Sequence, residues 1–400
     1  MSNLPRRHVW LHEMGVLCAL GSGVPALRAA LAAQRPAPLS TQSPFWPSAL
    51  PQGLVTEPLP SLEQWPLEYR TRCNAILLAC FRQIENAVAT AVERFGAHRV
   101  AIVLGSSTSG IGEAQRAFMQ PRAGEVLPED FCLEQQGLGG PADFLARVSG
   151  IRGPCYAIST ACTSAPKAMA SGARLLDAGL ADVVVAGGVD ALNRLTLAGF
   201  SALECVSRRP CNPMSVNRDG INMGEGAALF LMSREPADIA LAGWGESSDA
   251  HHFSAPDPRG IGALLAMQSA LQLAGLQPDD IDYINLHGTA TIQNDMMESL
   301  AVAQLFGAGV PCSSTKPLTG HTLGAAGAIE AAICWQVLRD HASGLLPPHW
   351  WDGQVDPALS PLSLVAPGAR SVQPPRRVLS NSFAFGGSNA TLILERVDES

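Results

Sequence analysis

In Ile158-Ser159-Thr160-Ala161-Cys162-Thr163-Ser164-Ala165, a short apolar run ends and a single cysteine follows. The segment after this cysteine is rich in glycine and alanine, with small or apolar residues at i, i+3, i+4 and i+7. That spacing predicts a buried helix, so Cys162 lies where a strand turns into a helix N-terminus. The unpaired N–H groups and the positive dipole end of the helix should lower the pKa of the thiol.

Two interpretations of Cys162 stay open on these residues alone. A small cysteine is a common residue of protein cores, with no chemical role. A cysteine at the start of a helix can equally be a nucleophile, because a thiolate is stabilised there. The remainder of the chain has to decide between them.

Composition limits the class of protein. The chain has 400 residues, 47% hydrophobic and 16% charged, enough for a large core and two or three domain-sized units. A net charge of −8 argues against nucleic acid as a partner. Ten cysteines without a C-x-x-C pair indicate free thiols rather than a disulfide scaffold or a metal site.

The sequence also predicts where the protein works. Its N-terminus, 1–10, is polar and basic and does not resemble a signal peptide. No uninterrupted apolar stretch reaches the roughly 20 residues that a membrane-spanning helix requires. We therefore expect a soluble, cytoplasmic protein that does not bind a membrane.

Apolar runs and glycine-rich turns predict an α/β protein. The all-apolar run 183–188 predicts a strand covered on both faces, and with the strand 156–158 and the helix between them it predicts a parallel βαβ unit. Other predicted strands are 9–11, 100–104, 227–232, 241–245, 281–286, 310–314, 378–380 and 392–396. Predicted helices are 25–33, 76–95, 262–274, 298–306 and 324–338. The second half repeats the order of the first, which suggests an internal duplication with halves 1–235 and 236–400.

Two other segments have a composition that bears on function. The Pro- and Ser-rich segment 35–66 has little periodicity and predicts an irregular surface excursion, such as a lid or an interface. The small-residue loop 105–110 follows a predicted strand, as phosphate-binding loops do. It lacks the Lys-Ser/Thr of a P-loop and the G-x-G-x-x-G spacing, so nucleotide binding is disfavoured.

Three residues able to do chemistry follow predicted strands of the second half: His287, Lys316 and His321. Sites in open α/β sheets collect outside the carboxyl ends of strands, so these side chains should lie near one another. Each has a structural alternative, since a lone histidine or lysine is often only a satisfied polar residue. A thiol with two imidazoles is nevertheless a coherent set for acyl transfer.

Four motifs in this order resemble a known family. They are Ala161–Ser164, His287–Thr291, Lys316–Gly327 and Asn381–Asn389. Together they are similar to those of the elongating β-ketoacyl-acyl carrier protein synthases, the Cys-His-His branch of the thiolase superfamily. The resemblance implies an α/β fold of the thiolase-like, duplicated five-layered αβαβα type, with mixed, mostly parallel sheets, usually as a dimer.

By this resemblance, Cys162 is the nucleophile that takes an acyl chain from a carrier protein as a thioester. His287 and His321 match the pair that promotes decarboxylation of malonyl carrier protein and stabilises the enolate oxygen. Lys316 matches a lysine that hydrogen-bonds within the site, and Glu330 matches the glutamate near that lysine. The acids that brace the His287 turn are matched by Asp295 and Glu298.

The resemblance also assigns groups that hold the substrate. Backbone N–H groups of Cys162 and Phe385 would form the oxyanion hole, and Phe385 resembles the gating aromatic between the acyl pocket and the active site. Thr289 and Thr291 match threonines that hold the phosphopantetheine arm. No metal and no bound organic cofactor is implied, because phosphopantetheine arrives on the acyl carrier protein.

Carrier proteins are acidic, so a basic patch should steer docking although this chain is net acidic. The candidate docking residues are Arg70, Arg72, Arg208 and Arg209. A homodimer is expected, and a heterodimer with a chain-length-type paralogue is compatible with the same motifs.

Departures from the family pattern leave the pathway open. Where this chain has Ile292, the family usually has Pro, and where it has Asn294, often Gly. It usually has Gly in place of Ala384 and Thr in place of Ser388. The segments 35–66 and 115–150 also match the family poorly. Elongation of fatty acids and of specialised polyenes or polyketides are therefore both considered.

Three other classes were considered as alternatives. A coenzyme A thiolase would carry a second cysteine near the C-terminus in a Cys-x-Gly context, whereas the last cysteine here is Cys334 in a predicted helix. A non-catalytic chain-length subunit would lack the nucleophilic cysteine. An α/β-hydrolase would carry a G-x-S-x-G elbow, which is not found.

Overall fold

A computed structural model describes residues 8–33, 35–37, 39–42, 49–119, 127–128 and 131–397. Parts of the two segments that match the family poorly, 43–48, 120–126 and 129–130, lie outside the described residues, as do 1–7.

The described residues form strands and helices in alternation. The strands are β1 Val9–Cys18, β2 Gly21–Ser22, β3 Val100–Gly105, β4 Cys155–Ile158, β5 Val183–Asp190, β6 Gly226–Ser233, β7 Ile239–Ser248, β8 Tyr283–Asn285, β9 Pro311–Ser313, β10 Ser363–Leu364, β11 Arg377–Ala384 and β12 Ser388–Arg396. The helices are α1 Gly23–Ala32, α2 Arg72–Phe81, α3 Glu85–Phe95, α4 Ile111–Met119, α5 Gly140–Ser149, α6 Ser164–Asp177, α7 Arg194–Ala202, α8 Ile261–Ala274, α9 Ile292–Phe306, α10 Lys316–Thr319 and α11 Ala326–Arg339.

The strand order is the same in both halves of the molecule. The first half runs β4-β3-β5-β6-β1 and the second β9-β8-β11-β12-β7, with β10 outside β9. In each order the second strand, β3 or β8, pairs in parallel with its neighbours on both sides, and the last two pairings are antiparallel. The repeated order bears out the expected duplication. A short β1–β7 pairing, which includes Val9 opposite Leu241, joins the two sheets into one hydrogen-bonded path.

Three apolar clusters separate five layers, αβαβα. One cluster lies between the first sheet and α2, α3 and α5, and another between the second sheet and α8 and α9. The central cluster contains α6 and α11, packed between the two sheets. These helices approach closely because their contact residues are small. A Cβ at Gly327 would lie 2.2 Å from Pro166 Cγ, so only glycine fits there.

The predicted helix 76–95 is wrong as a single element. It is two helices, α2 and α3, that meet at 74°. Gln83, the middle one of the three residues between them, accepts from the backbone N–H of Val16 at 3.0 Å and donates to the Val16 carbonyl at 2.9 Å. This tertiary docking onto β1 fixes the break.

Among the described residues, no single helix is long and apolar enough to cross a membrane, and only the bent pair α2 and α3 reaches such a length and hydropathy when taken together.

Candidate active site

Three predicted side chains converge where β4, β8 and β9 end. Cys162 Sγ lies 2.9 Å from His321 Nε2, and the rings of His287 and His321 stand at 85° with centroids 5.5 Å apart. One ligand atom from each residue lies within 4.8 Å of the others, and all three are buried. This Cys-His-His set is also one that could ligate a soft divalent cation. The two halves of the chain therefore meet at one reactive cluster.

The turn that presents Cys162 is strained. Ala161 has φ +53°, a left-handed conformation that costs a non-glycine residue roughly 1–2 kcal/mol. Its carbonyl accepts from Ser164 Oγ at 2.6 Å and from Ser107 Oγ at 3.2 Å. Ser164 Oγ in turn accepts from the Thr160 N–H at 2.9 Å. These contacts hold the backbone turn that aims the thiol at His321.

The expected lowering of the thiol pKa is wrong. Burial raises the pKa of Cys162 to about 12, although the Lys316 charge and the backbone groups of Phe385 and Cys162 act in the opposite direction. The helix α6 begins at Ser164, two residues beyond the cysteine, so its terminus does not offset desolvation. Removing the thiol proton therefore calls for a base, and His321 Nε2 is the nearest described one.

Both histidines are held neutral. Burial, and after it the Lys316 charge, places the pKa of His287 and of His321 well below the ordinary value of 6.5. Lys316 Nζ lies 3.4 Å from His287 Nδ1, donates to the His287 carbonyl, and is 2.5 Å from Glu330 Oε1. A donor at Nδ1 favours the tautomer in which His287 carries its proton on Nε2. Lys316 and Glu330 are thus a buried ion pair that sets the state of His287.

The turn at His287 is braced by buried acids. Glu298 accepts from the N–H groups of His287 and Gly288, both at 2.7 Å. Asp295 accepts from the N–H of Ala290 at 3.2 Å and from that of Met214 at 2.8 Å. Desolvation raises the pKa of Glu298 to about 7, against the lowering by these backbone donors. The structure thus places both predicted acids against the histidine turn.

The backbone of His321 is hydrogen-bonded to a strap from the first half, the segment 222–225. Its N–H donates to the Asn222 carbonyl at 2.6 Å, and its carbonyl accepts from the Gly224 N–H at 2.9 Å. The next residue of this strap is Glu225, fully buried, which accepts from Val55 N at 3.0 Å and from Arg72. The segment around Val55, predicted as a surface excursion, therefore packs behind His321.

The contact with Glu225 contradicts the predicted docking role of Arg72. Arg72 Nη2 lies 2.5 Å from Glu225 Oε1, and the Arg72 side chain is only 31% exposed. Its charge is directed into the molecule rather than towards a carrier protein. Arg70 is exposed, and its Nε donates to the Trp65 carbonyl at 2.7 Å.

The other two arginines lie elsewhere. Arg208 is exposed, and Arg209 pairs with Asp219 at 2.9 Å. Asp219 lines the cavity that contains Cys162, whereas Arg70 and Arg72 line a different cavity. The structure therefore does not gather the four predicted residues around one opening.

The reactive cluster opens into a cavity of about 490 Å³. Thr289 and Thr291 line it with their Oγ1 atoms 2.9 Å apart, in reach of an extended polar arm. Phe385 lies against Phe200, with ring centroids 5.4 Å apart, and both line the same cavity. A second cavity, of about 830 Å³, is bordered by α4 and the start of α7 and does not include the reactive residues.

Sequence reasoning missed residues that support the cluster. Lys167 Nζ donates to Ser388 Oγ at 2.7 Å, and Ser388 Oγ lies 2.9 Å from Thr163 Oγ1, beside the nucleophile. Asp190 ends β5 and is fully buried among the hydroxyls and N–H groups of the loop 105–110. That loop binds an internal carboxylate. The signal in the sequence that could have identified Asp190 is a carboxylate directly after an all-apolar run.

Comparison with known proteins gives a consistent result. The chain matches the family models described as "Beta-ketoacyl synthase, N-terminal domain" over residues 72–237 and "Beta-ketoacyl synthase, C-terminal domain" over residues 239–349. It is 34% identical to 3-oxoacyl-[acyl-carrier-protein] synthase 2 of Vibrio cholerae, over 76% of this chain and 78% of that protein.

Two solved structures cover nearly the whole chain. One is a chain of the complex between the ketosynthase ApeO and its chain length factor ApeC from Xenorhabdus doucetiae, with a TM-score of 0.90 and 41% identity over 99% of this chain and 100% of that chain. The other is the ishigamide ketosynthase/chain length factor, with a TM-score of 0.85 and 26% identity over 98% of this chain and 100% of that chain.

Proposed function

Because the chain belongs to the β-ketoacyl synthase family, we propose that it is a β-ketoacyl-acyl carrier protein synthase that elongates a carrier-bound chain by decarboxylative condensation. The observation that carries the proposal is the convergence of one thiol and two neutral imidazoles within 4.8 Å. The first half, 1–235, supplies the nucleophile and the second, 236–400, supplies both histidines and the lysine.

The first step is transfer of the acyl group to Cys162. The sulfur attacks the thioester carbonyl of the acyl carrier protein while His321 Nε2, 2.9 Å away, takes the thiol proton. The backbone N–H groups of Cys162 and Phe385 stabilise the tetrahedral oxyanion. The carrier thiol leaves with the proton returned by His321, and an acyl-cysteine thioester remains. A neutral His321 is the state that this step requires.

The second step is decarboxylation of a malonyl carrier protein. The C–C bond to the carboxylate breaks, carbon dioxide leaves, and its electron pair forms an enolate on the thioester. His287 donates its Nε2–H to the enolate oxygen. His321 donates to the same oxygen in its Nε2–H tautomer, which replaces the Nδ1–H tautomer that accepted the thiol proton in the first step. Lys316, 3.4 Å from His287 Nδ1, keeps the proton of His287 on the side that faces the substrate.

The third step forms the product. The enolate carbon attacks the carbonyl of the acyl-cysteine, and the tetrahedral intermediate expels the Cys162 thiolate. Each cycle joins the acyl group to two carbons of the malonyl unit and releases the Cys162 thiolate, which takes one proton from the solvent. The products are β-ketoacyl carrier protein, carbon dioxide and free enzyme.

Phosphopantetheine enters as part of the substrate. Thr289 and Thr291 line the cavity at its polar side and would hydrogen-bond to the amide groups of the arm. Ile292, 58% exposed, lies next to them at the start of α9. Arg208 and Arg209 are the docking residues best placed for an acidic carrier protein, because Arg209 contacts Asp219 on the rim of this cavity.

The partner of this chain is expected to be a second ketosynthase-like chain. The strand β4 lies at the end of the first sheet, its residues are part-buried, and among the described residues only β3 pairs with it. Apolar side chains of the first half are also exposed at Met119, Leu133 and Leu195. The 41% identity to a chain of a complex between a ketosynthase and its chain length factor favours a heterodimer of that kind over a homodimer.

Intact-mass analysis tests the function directly. After incubation with acyl carrier proteins of different chain types, the wild-type protein should gain the mass of one acyl group, and Cys162→Ala should gain none. The chain type that gives the adduct identifies the primer. Folded wild-type protein that forms no adduct with any acyl donor, alone or with a chain-length partner, would overturn the proposal.

A further inference from the structure

We propose that Asp190 is a positioning residue that fixes Cys162 relative to His321 by binding the loops that carry them. This inference rests on the proposed function, because it assigns Asp190 to the same reactive cluster. Asp190 does not touch the substrate cavity, and it would act only through the two residues that it aligns.

Asp190 is surrounded by donors. Its carboxylate is fully buried and accepts from Ser106 Oγ at 2.9 Å, from Thr108 Oγ1 at 2.7 Å and from the N–H groups of Ser107 and Thr108 at 2.9 and 2.8 Å. No arginine or lysine forms an ion pair with it within the part of the chain that the structure describes. A buried carboxylate without a cation is expensive unless hydrogen bonds replace its water. The Asp190 carboxylate therefore holds the donors of the loop 105–110 in one arrangement around it.

One arm of this network reaches the nucleophile. Ser107, whose N–H donates to Asp190, also donates its Oγ to the Ala161 carbonyl at 3.2 Å. Ala161 is the left-handed residue directly before Cys162. The carboxylate thus holds the loop whose Ser107 supports the strained turn together with Ser164.

The other arm reaches the base. The Gly324 N–H donates to Asp190 Oδ2 at 2.6 Å. Leu323, just before it and two residues after His321, is also left-handed, with φ +53°. A Cβ at position 324 would lie 2.7 Å from Asp190 Oδ2, so glycine is needed for the carboxylate to reach this backbone.

The two sets of contacts lead to the two reacting atoms, Cys162 Sγ and His321 Nε2. Cys162 and His321 come from different halves of the chain and meet at 2.9 Å through side chains only. Asp190 links the backbone turns behind both of them through one rigid group. Since displacement by about 1 Å can cost up to about 100-fold in rate, a shared anchor directly affects thiol deprotonation.

The test compares Asp190→Asn with Glu395→Gln. Glu395 is a buried carboxylate at the far end of β12 that accepts from Arg377 at 2.8 Å and does not contact the site. Three quantities are measured for each folded variant: the melting temperature, kcat and KM with carrier-bound substrates, and the rate of Cys162 alkylation by iodoacetamide.

Asp190→Asn should lower kcat by about tenfold to 100-fold with KM unchanged, and should slow alkylation. Glu395→Gln should lose thermal stability only. Wild-type kcat and alkylation in Asp190→Asn, or an equal loss in Glu395→Gln, would overturn the inference.

A pair of serines covers the case in which Asp190→Asn does not fold. Ser107→Ala removes the contact with Ala161, whereas Ser106→Ala removes a donor to Asp190 without touching the nucleophile turn. Both variants should slow alkylation, Ser107→Ala because the arm to the nucleophile turn is cut and Ser106→Ala because the carboxylate loses a donor. A wild-type alkylation rate in Ser106→Ala would contradict the proposal. Alkylation needs no acyl substrate. A wild-type protein that is alkylated but never condenses would therefore disprove the proposed function while leaving the role of Asp190 intact.

Discussion

The loop after β4 and the loop after β9 occupy equivalent places in two halves with the same strand order, yet they carry different chemistry. The first presents one thiol, Cys162, on a turn braced by hydroxyls. The second presents His321 next to Lys316, which forms a buried ion pair with Glu330. The two halves therefore share the positions of these loops but not the charged residues that surround them.

The strands that end beside these loops differ in the same way. In the first half, β5 ends at Asp190, which is enclosed by donors and faces no cavity. In the second half, the equivalent β11 ends at Ala384, and the next residue, Phe385, lines the cavity. The first half thus holds its reactive atom through hydrogen bonds to a buried carboxylate, whereas the second half supplies the groups that transfer protons and the aromatic side chain that lines the cavity.

The largest effect should separate the two histidines of the second half. His287→Ala should still form the acyl adduct on Cys162, but malonyl decarboxylation should fall by about 10²–10⁴-fold, because one donor to the enolate is lost. His321→Ala should slow both reactions, since only His321 contacts the thiol. Adduct mass and carbon dioxide release measure the two reactions, with Cys162→Ala as the control without a nucleophile. Equal effects of both variants on adduct formation would show that the proton path is not the one assigned.

The buried charges of the second half give the next largest effect. Lys316→Met leaves Glu330 buried without its cation and should destabilise the protein by about 3–5 kcal/mol. The double variant Lys316→Met/Glu330→Leu should recover much of that loss without recovering activity, because an apolar pair avoids the unpaired charge. Denaturant unfolding measures both. A double variant no more stable than Lys316→Met would mean that the pair is not the source of the loss.

A buried imidazole behind the second loop should make stability depend on pH. His349 accepts from the Ser314 N–H at 3.0 Å, and burial lowers its pKa from 6.5 to about 4. The unfolded chain binds a proton below about pH 6.5 and the folded one does not. Stability should therefore fall by about 3 kcal/mol as pH drops from 6.5 to 4.

His349→Gln should make this pH dependence less steep, with the buried His287 and His321 accounting for what remains, although it lowers stability at neutral pH. Melting temperatures across this range provide the measurement. The comparison variant is His98→Gln, which changes an imidazole of the first half that is not buried. A profile in His349→Gln as steep as that of the wild type would assign the pH dependence to other groups.

The smallest effect concerns the surface. Arg208→Glu and Arg209→Glu should raise KM for carrier-bound substrate several-fold at low salt and less at high salt, because rim charges act mainly on association. Alkylation of Cys162 should not change. Arg28→Glu, at an exposed arginine of α1 paired with Asp340, is the matched control. An unchanged KM would place the docking surface elsewhere.

The sequence predicted the repeated elements because their signals are local. The apolar run 183–188 and the glycine-rich helices marked strands and helices that the structure confirms, and the cysteine and histidine motifs located the residues that converge. The break between α2 and α3 was not predictable, since it depends on Gln83 docking on β1. The thiol pKa was misjudged because the degree of burial at residue 162 is set by both halves together.

The contact between β1 and β7 suggests a practical use of the duplicated fold. A chain cut between Ser233 and Ile239 would leave each fragment with its own set of strands, and β1 would still have partners on both sides of the cut. Neither fragment alone would contain both Cys162 and His321. Acylation of the cysteine would then report reassembly of the two fragments. The protein would serve as a split reporter whose signal is the mass of the acyl group added to the fragment with Cys162.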